Sequence, residues 1–134
     1  MAKLETISVR TSAREELVDI TRQVQEAVHA TGVRSGMAWV GSPHTTAAIT
    51  IQENADPDVR TDLLAHLRHL VPQSEKFRHA EGNSDAHIKT SLMSPAHPIP
   101  VEDGRLHLGT WQAIFFCEFD GPRSRHVWVK VIEG

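Results

Sequence analysis

Nine histidines in 134 residues pose the first chemical question, because a neutral imidazole can ligate metal and carry protons near neutral pH. Three of them have neighbours suited to chemistry. His44 follows a Gly41-Ser42-Pro43 turn and opens an apolar run, which puts its ring at a strand end, firmly held yet reachable. The segment His79-Ala80-Glu81-Gly82-Asn83-Ser84-Asp85-Ala86-His87 gathers two imidazoles, carboxylates and an amide in a short stretch. Three histidine ligands would leave a fourth position open for water or substrate, as catalytic zinc requires. On spacing alone two readings stand: a site for a divalent metal, Zn or Mg, or polar loop histidines.

Other residues could serve such a site. A helix opening at Asn83 or Ser84 offers free backbone N–H groups, with Lys89 one turn on and Arg123 and Arg125 near the last hairpin. Those donors suit phosphate oxygens, or they are a solvated turn and a surface lysine. Glu53 and Glu81 are candidates to position or deprotonate a group. Trp111 is either core or a stacking surface for a flat heterocycle. The remaining histidines read as surface or structural: His69 projects away from the apolar stripe of a helix and His66 sits at its edge, His29 suits the negative end of another, and His97, His107 and His126 stand alone in or beside β segments. Cys117 alternates with aromatics and reads as a buried small hydrophobe rather than a nucleophile.

Composition narrows the classes. Fourteen Lys and Arg against seventeen Asp and Glu leave a net charge of −3, no basic field for a nucleic-acid backbone. No apolar run approaches the ~18 residues of a membrane span, and the start, Met1-Ala2-Lys3-Leu4-Glu5, lacks the order of a secretory signal. One cysteine excludes an internal disulfide or a multi-cysteine zinc cluster. His79-Ala80-Glu81 fits half of the nucleobase-deaminase signature, but Pro-Cys-x-x-Cys is missing. A metalloprotease helix, nucleophile elbow, Walker loop and dinucleotide fingerprint are also absent. The expectation is one cytoplasmic domain over 1–134 that contacts neither nucleic acid nor membrane.

The elements that must position these residues follow from periodicity. Leu4 to Arg10 alternates as a half-buried strand. Ser12 with Glu15 resembles a capping box for a helix through Leu17, Ile20, Val24, Ala27 and Val28, stopped at Gly32. Short strands cover Gly36 to Gly41 and Thr46 to Gln52. Asp56-Pro57-Asp58 starts a second helix with stripe Val59, Leu63, Leu67, Leu70 and Val71. A short helix after Asn83 turns Ile88 and Leu92 inward. Beyond Pro95, Pro98 and Pro100 the chain is β, with a turn at Asp103-Gly104 and longer strands from Gly109 to Phe119 and Arg125 to Ile132. The class is α+β: layered antiparallel β-sheet with two long helices and one short helix packed on one side.

Three blocks carry a resemblance. His44-Thr45-Thr46-Ala47-Ala48-Ile49 with Glu53-Asn54-Ala55-Asp56-Pro57-Asp58-Val59, the stretch from His79 through Ala86-His87-Ile88-Lys89-Thr90-Ser91-Leu92, and Gly104-Arg105-Leu106 with Leu108-Gly109-Thr110-Trp111-Gln112 and Asp120-Gly121-Pro122-Arg123-Ser124-Arg125 occur in order. Together they resemble the signatures of the YjbQ family, described as secondary thiamine-phosphate synthases. Ser94 stands where many members have glycine. The resemblance implies a homotrimer and a site gathering His44, His79 and His87, often with a metal. It also implies a weak transferase activity that joins a hydroxymethylpyrimidine diphosphate to a thiazole phosphate and releases pyrophosphate. In that reading Glu53, Glu81 and His87 are catalytic, and Thr45, Asn83, Lys89, Trp111 and Arg123 contact a phosphorylated small-molecule substrate. A non-catalytic module for a metal or phosphorylated ligand, and a metal-assisted phosphate hydrolase, use the same residues.

Overall fold

The computed structural model describes residues 3–134; Met1 and Ala2, part of the start read as lacking a secretory signal, lie outside the described residues. Two antiparallel sheets form the frame. Strands β1 (Leu4–Arg10), β3 (Gly36–Gly41), β5 (Ala96–Glu102), β6 (Arg105–Leu106) and β8 (Ser124–Glu133) make a five-stranded sheet in the order β1-β8-β3-β5-β6. Strands β2 (Glu16–Asp19), β4 (Ala47–Glu53) and β7 (Gln112–Glu118) make a smaller one in the order β2-β7-β4. Strand alternation sets the register between them: Val127, Val129 and Val131 face inward from β8, and Ile114 and Phe116 meet them from β7. The three-stranded sheet is too narrow to cover the five-stranded one, and helix α1 (Thr21–Thr31) joins the same core through Val24 and Val28.

The opposite face of the small sheet carries a second core. There Ala48, Cys117 and Phe119 pack with Leu67 of α2 (Pro57–Leu70) and Ala86 of α3 (Ser84–Met93). Strand β7, central and covered on both faces, is therefore buried from Ala113 to Glu118, which explains its unbroken apolar run. Cys117 is fully enclosed, and burial pushes its thiol pKa up, so it behaves as a small hydrophobe. The α+β class and its antiparallel layers agree with the sequence reading, while the helices divide between the two cores.

Three local expectations change. No helix begins at Ser12: the Glu16 carboxylate accepts hydrogen bonds from the Ser12 backbone N–H and hydroxyl, and Glu16–Asp19 pairs with Phe115–Glu118 as β2. The helix starts later, where the Asp19 carboxylate accepts from the Thr21 N–H at 2.9 Å and its hydroxyl at 2.7 Å. Leu17 and Ile20 fit a helical spacing, yet Leu17 packs in the second core and Ile20 in the first. Trp111, read as core or as a stacking surface in a strand from Gly109, is 63 % exposed, and the strand begins only at Gln112.

The third change concerns α3. Ile88 and Leu92 were expected to face inward, but both are exposed, and Asp85, Ala86, Lys89 and Thr90 are buried. The helix is turned by about one residue, roughly 100°. Charge pairing holds it there. Lys89 Nζ donates to Glu15 Oε2 and Asp85 Oδ2, each at 2.8 Å, and Arg14 bonds both Asp85 oxygens.

Other signals hold. Asp56 caps α2 by accepting from the Asp58 N–H at 2.9 Å, with Pro57 in the first turn. Asp103 and Gly104, at φ 52° and 74°, make the tight turn between β5 and β6. Because β6 pairs only with Val101 and Glu102, Pro98 and Pro100 lie along a stretch of β5 where no N–H is required. Ser94 takes φ 82°, a conformation that favours glycine, and its hydroxyl bonds the Ala96 carbonyl at 3.1 Å. No helix among the described residues is long and apolar enough to cross a membrane.

Candidate functional site

The two groups of histidines selected from the sequence lie in different settings. His44 sits in the turn between β3 and β4, which is closed by the Ser42 hydroxyl: it donates to the Ala47 carbonyl and accepts from the His44 N–H. The His44 Nε2 accepts the His126 backbone N–H at 2.9 Å, so its neutral ring carries the proton on Nδ1. The ring meets Phe116 edge-on and stacks near His126, with centroids 6.3 and 6.4 Å apart. Partial burial, the Arg125 charge and His126 hold its pKa below the ordinary imidazole value, against a smaller opposing effect of Glu118.

Beneath His44 is a buried ion pair. Arg125 Nε donates to Glu118 Oε1 at 2.9 Å, and its Nη2 donates to the Thr46 hydroxyl at 2.9 Å. Glu118 also accepts from the Thr11 hydroxyl and the Asp120 N–H. Burial acts to raise the Glu118 pKa, but these bonds and the Arg125 charge outweigh it, and the carboxyl lies below its ordinary value. Arg125, grouped with Arg123 in the sequence reading as an anion donor, is thus committed to the frame.

His79 and His87 converge beside the N-terminus of α3. Their ring centroids are 5.5 Å apart and nearly perpendicular. Together with Phe77, Arg78, Ser84 and Ile88 they line an open cleft of about 410 Å³. The His79 Nδ1 lies 3.0 Å from the Ser84 hydroxyl oxygen. The hydroxyl can accept from or donate to that nitrogen; with the proton on Nδ1 the ring donates to Ser84 and Nε2 carries the lone pair. Glu81 Oε1 stands 3.6 Å from that Nε2. The chemistry available is ligation by two neutral imidazoles with a carboxylate nearby.

The other selected residues divide. Asn83 donates to Asp120 Oδ2 at 2.9 Å, and Arg123 bonds the same carboxylate at 3.0 Å, so Asp120, which the sequence reading passed over, joins the two. The Asn83 side-chain oxygen is buried without a partner. Lys89, expected to reach the same phosphate as Arg123, is 1 % exposed and faces away into the pairs with Glu15 and Asp85. Glu53 accepts from the Asp56 N–H at 3.2 Å and so supports the start of α2. Thr45 is exposed in the bend before β4. Trp111 is also exposed, and its carbonyl is bonded by the Asn54 N–H. Neither lines the histidine cleft.

Within one chain, no group of three or more His, Cys, Asp or Glu side chains among the described residues could hold a metal ion. His44, whose Nε2 is bonded by the His126 N–H on β8, does not join His79 and His87 in such a group. Of the other histidines, His66 and His69 are exposed on α2 and His97 Nε2 bonds the Ile49 carbonyl, while His126, read as isolated, stacks near His44.

Known proteins are close to this chain in sequence and in shape. A UPF0047 protein of Methanocaldococcus jannaschii is 53 % identical, covering 92 % of this chain and 90 % of its own. YugU of Bacillus subtilis is 49 % identical over 96 % and 98 % of the two chains. A crystal structure from Clostridium acetobutylicum, of an uncharacterized conserved protein of the YjbQ/UPF0047 family, superimposes with a TM-score of 0.93 at 53 % identity, covering 96 % and 99 %. A Sulfolobus solfataricus YbjQ-like protein of unknown function gives 0.95 at 33 % identity, covering 100 % and 99 %. These descriptions overturn the expected thiamine-phosphate synthase activity: the relatives are uncharacterized or of unknown function, and none is described with that reaction. The transferase assignment is withdrawn. The profile of the UPF0047 protein YjbQ-like family matches residues 5–134, and with these relatives it establishes that the chain belongs to that family.

Proposed function

We propose that the protein binds a divalent cation through His79 and His87. The observation that carries this reading is the convergence of two imidazoles, 5.5 Å apart, in an open cleft where the Ser84 hydroxyl lies within hydrogen-bond distance of His79 Nδ1. A hydrogen bond to the distal ring nitrogen is the usual support of a ligating histidine. Imidazole favours zinc over magnesium, which keeps oxygen ligands and water. Glu81, whose Oε1 lies 3.6 Å from His79 Nε2, is the candidate third donor, and water completes the shell.

The same reading takes the working form as a cytoplasmic homotrimer. Its support is the outer face of the five-stranded sheet, where Met37, Trp39, Trp128 and Ile132 are exposed on adjacent strands. The Trp39 indole lies across Gly41, where any Cβ would collide with the ring. Light scattering is expected to give about three times the 14.9 kDa chain mass, and a monomer would remove this part of the reading.

Calorimetric titration of chelator-treated protein with Zn²⁺, Mn²⁺ and Mg²⁺ tests the cation. Zinc is expected to bind tightest. Either His79→Ala or His87→Ala should weaken it by about ten-fold or more, the scale of a lost ligand or its support. Unchanged isotherms in both variants would refute the ligand assignment.

A further inference from the structure

On the other side of α3 lies a second cleft, of about 470 Å³, between α3, the C-terminal end of α2 and the loop that follows it. Its charged wall is a chain of alternating ions: Arg68, Glu15, Lys89, Asp85, Arg14. Three cations meet two carboxylates, so the chain carries a net positive charge. The accounting of donors is more telling. Each carboxylate oxygen is already engaged: Glu15 Oε1 by Arg68 and Oε2 by Lys89, Asp85 Oδ1 by Arg14, and Asp85 Oδ2 by Arg14 and Lys89.

The cations are not exhausted. A guanidinium has five N–H donors, of which Arg14 uses two on Asp85 and Arg68 uses its Nε–H on Glu15. The Arg14 side chain is 30 % exposed and that of Arg68 53 %, and both line the cleft with Ser74 and Pro72. Every carboxylate oxygen thus has a donor while guanidinium N–H groups remain, on Arg14 and Arg68 side chains that Asp85 and Glu15 hold in place. Arginine forks of this kind match tetrahedral oxyanions.

We infer that the cleft lined by Arg14, Arg68 and Ser74 binds a phosphate group. The phosphate oxygens accept from the free guanidinium N–H groups and the Ser74 hydroxyl, while Pro72 offers an apolar edge to whatever the phosphate is attached to. Lys89 does not itself reach the ligand; it fixes Glu15 and Asp85, and through them the two arginines. The inference is independent of the histidine cleft, which lies against the other side of the helix.

The test is calorimetric titration of the full-length, chelator-treated protein with inorganic phosphate and with phenyl phosphate. Saturable binding is expected, and it should weaken as salt is raised. Arg68→Gln should bind about ten-fold more weakly, the loss of one charge-assisted contact, and Arg22→Gln, which removes an exposed cation on α1, should bind as the native protein does. Tighter phenyl phosphate would identify an ester as the natural ligand, and tighter inorganic phosphate the free ion. Arg68 is exposed enough for its variant to fold, and thermal melting checks this; Arg14→Gln gives a second reading. Absence of saturation up to about 10 mM of either probe, or native affinity in Arg68→Gln, would overturn the proposal.

Discussion

The two sides of α3 carry similar kinds of residue and put them to different uses. On one side Asp85 and Lys89 are 0 % and 1 % exposed, and every carboxylate oxygen of the ion chain has a donor. On the other side His79 and His87 lie close together and line an open cleft. Polar residues that satisfy one another hold the helix in place; polar residues that line a cleft are available to a ligand. Burial among mutual partners, rather than residue type, separates the frame groups Asp85 and Lys89 from the groups left open to a ligand.

The comparison breaks most easily at Lys89. Lys89→Met leaves Glu15 and Asp85 buried without their shared cation and should cost about 3–5 kcal/mol in urea unfolding. His87→Ala, by contrast, should cost no more than about 1 kcal/mol. Similar losses in the two variants would mean that the histidine side is also structural. Next in size is the acid response. Burial acts to raise the Asp85 pKa, but the bonds from Arg14 and Lys89 outweigh it, and the carboxyl lies below its ordinary value, as Glu118 does beside Arg125. A carboxylate depressed in the folded state contributes stability that is present above its unfolded pKa, here 3.8 and 4.5, and lost as pH falls through the lower folded value. The thermal midpoint should therefore drop on acidification below about pH 4.5, and Glu118→Gln should start lower and fall less steeply. A steeper fall in that variant would contradict the assignment. The smallest effect belongs to the exposed apolar side of α3: Ile88→Ser and Leu92→Ser should each shift unfolding by no more than about 0.5 kcal/mol, and a loss of several kcal/mol would show that this side is covered.

Much of the frame is legible in the residues themselves. Alternation in Leu4 to Arg10 and Arg125 to Ile132, the Asp56-Pro57-Asp58 start and the Asp103-Gly104 turn are local signals, and local physics decides them. The segment from Ser12 to Ile20 misled because Leu17 and Ile20 satisfy a helical period as well as two separate cores, and only the partner strand β7 settles the choice. Helix α3 misled in the same way. Ile88 and Leu92 form an apolar pair in the sequence, but Arg14 and Glu15, some seventy positions away, determine which side is buried. The i,i+4 spacing of Asp85 and Lys89 was the one available hint.

The candidate site was legible in part. His79 and His87 lie eight positions apart, and a loop entering a helix brings them together. His44 is a strand-end histidine as read, yet its bond to His126 is a tertiary contact that spacing cannot reveal. Asp120, Arg14 and Arg68 were missed for the same reason: each acquires its role from a residue distant in the chain.

The most direct test of the account is anomalous diffraction at the zinc edge from crystals of the zinc-loaded protein. The account predicts one strong peak between the rings of His79 and His87. A peak at the exposed His66 and His69 alone, or none in crystals shown to contain zinc, would contradict it.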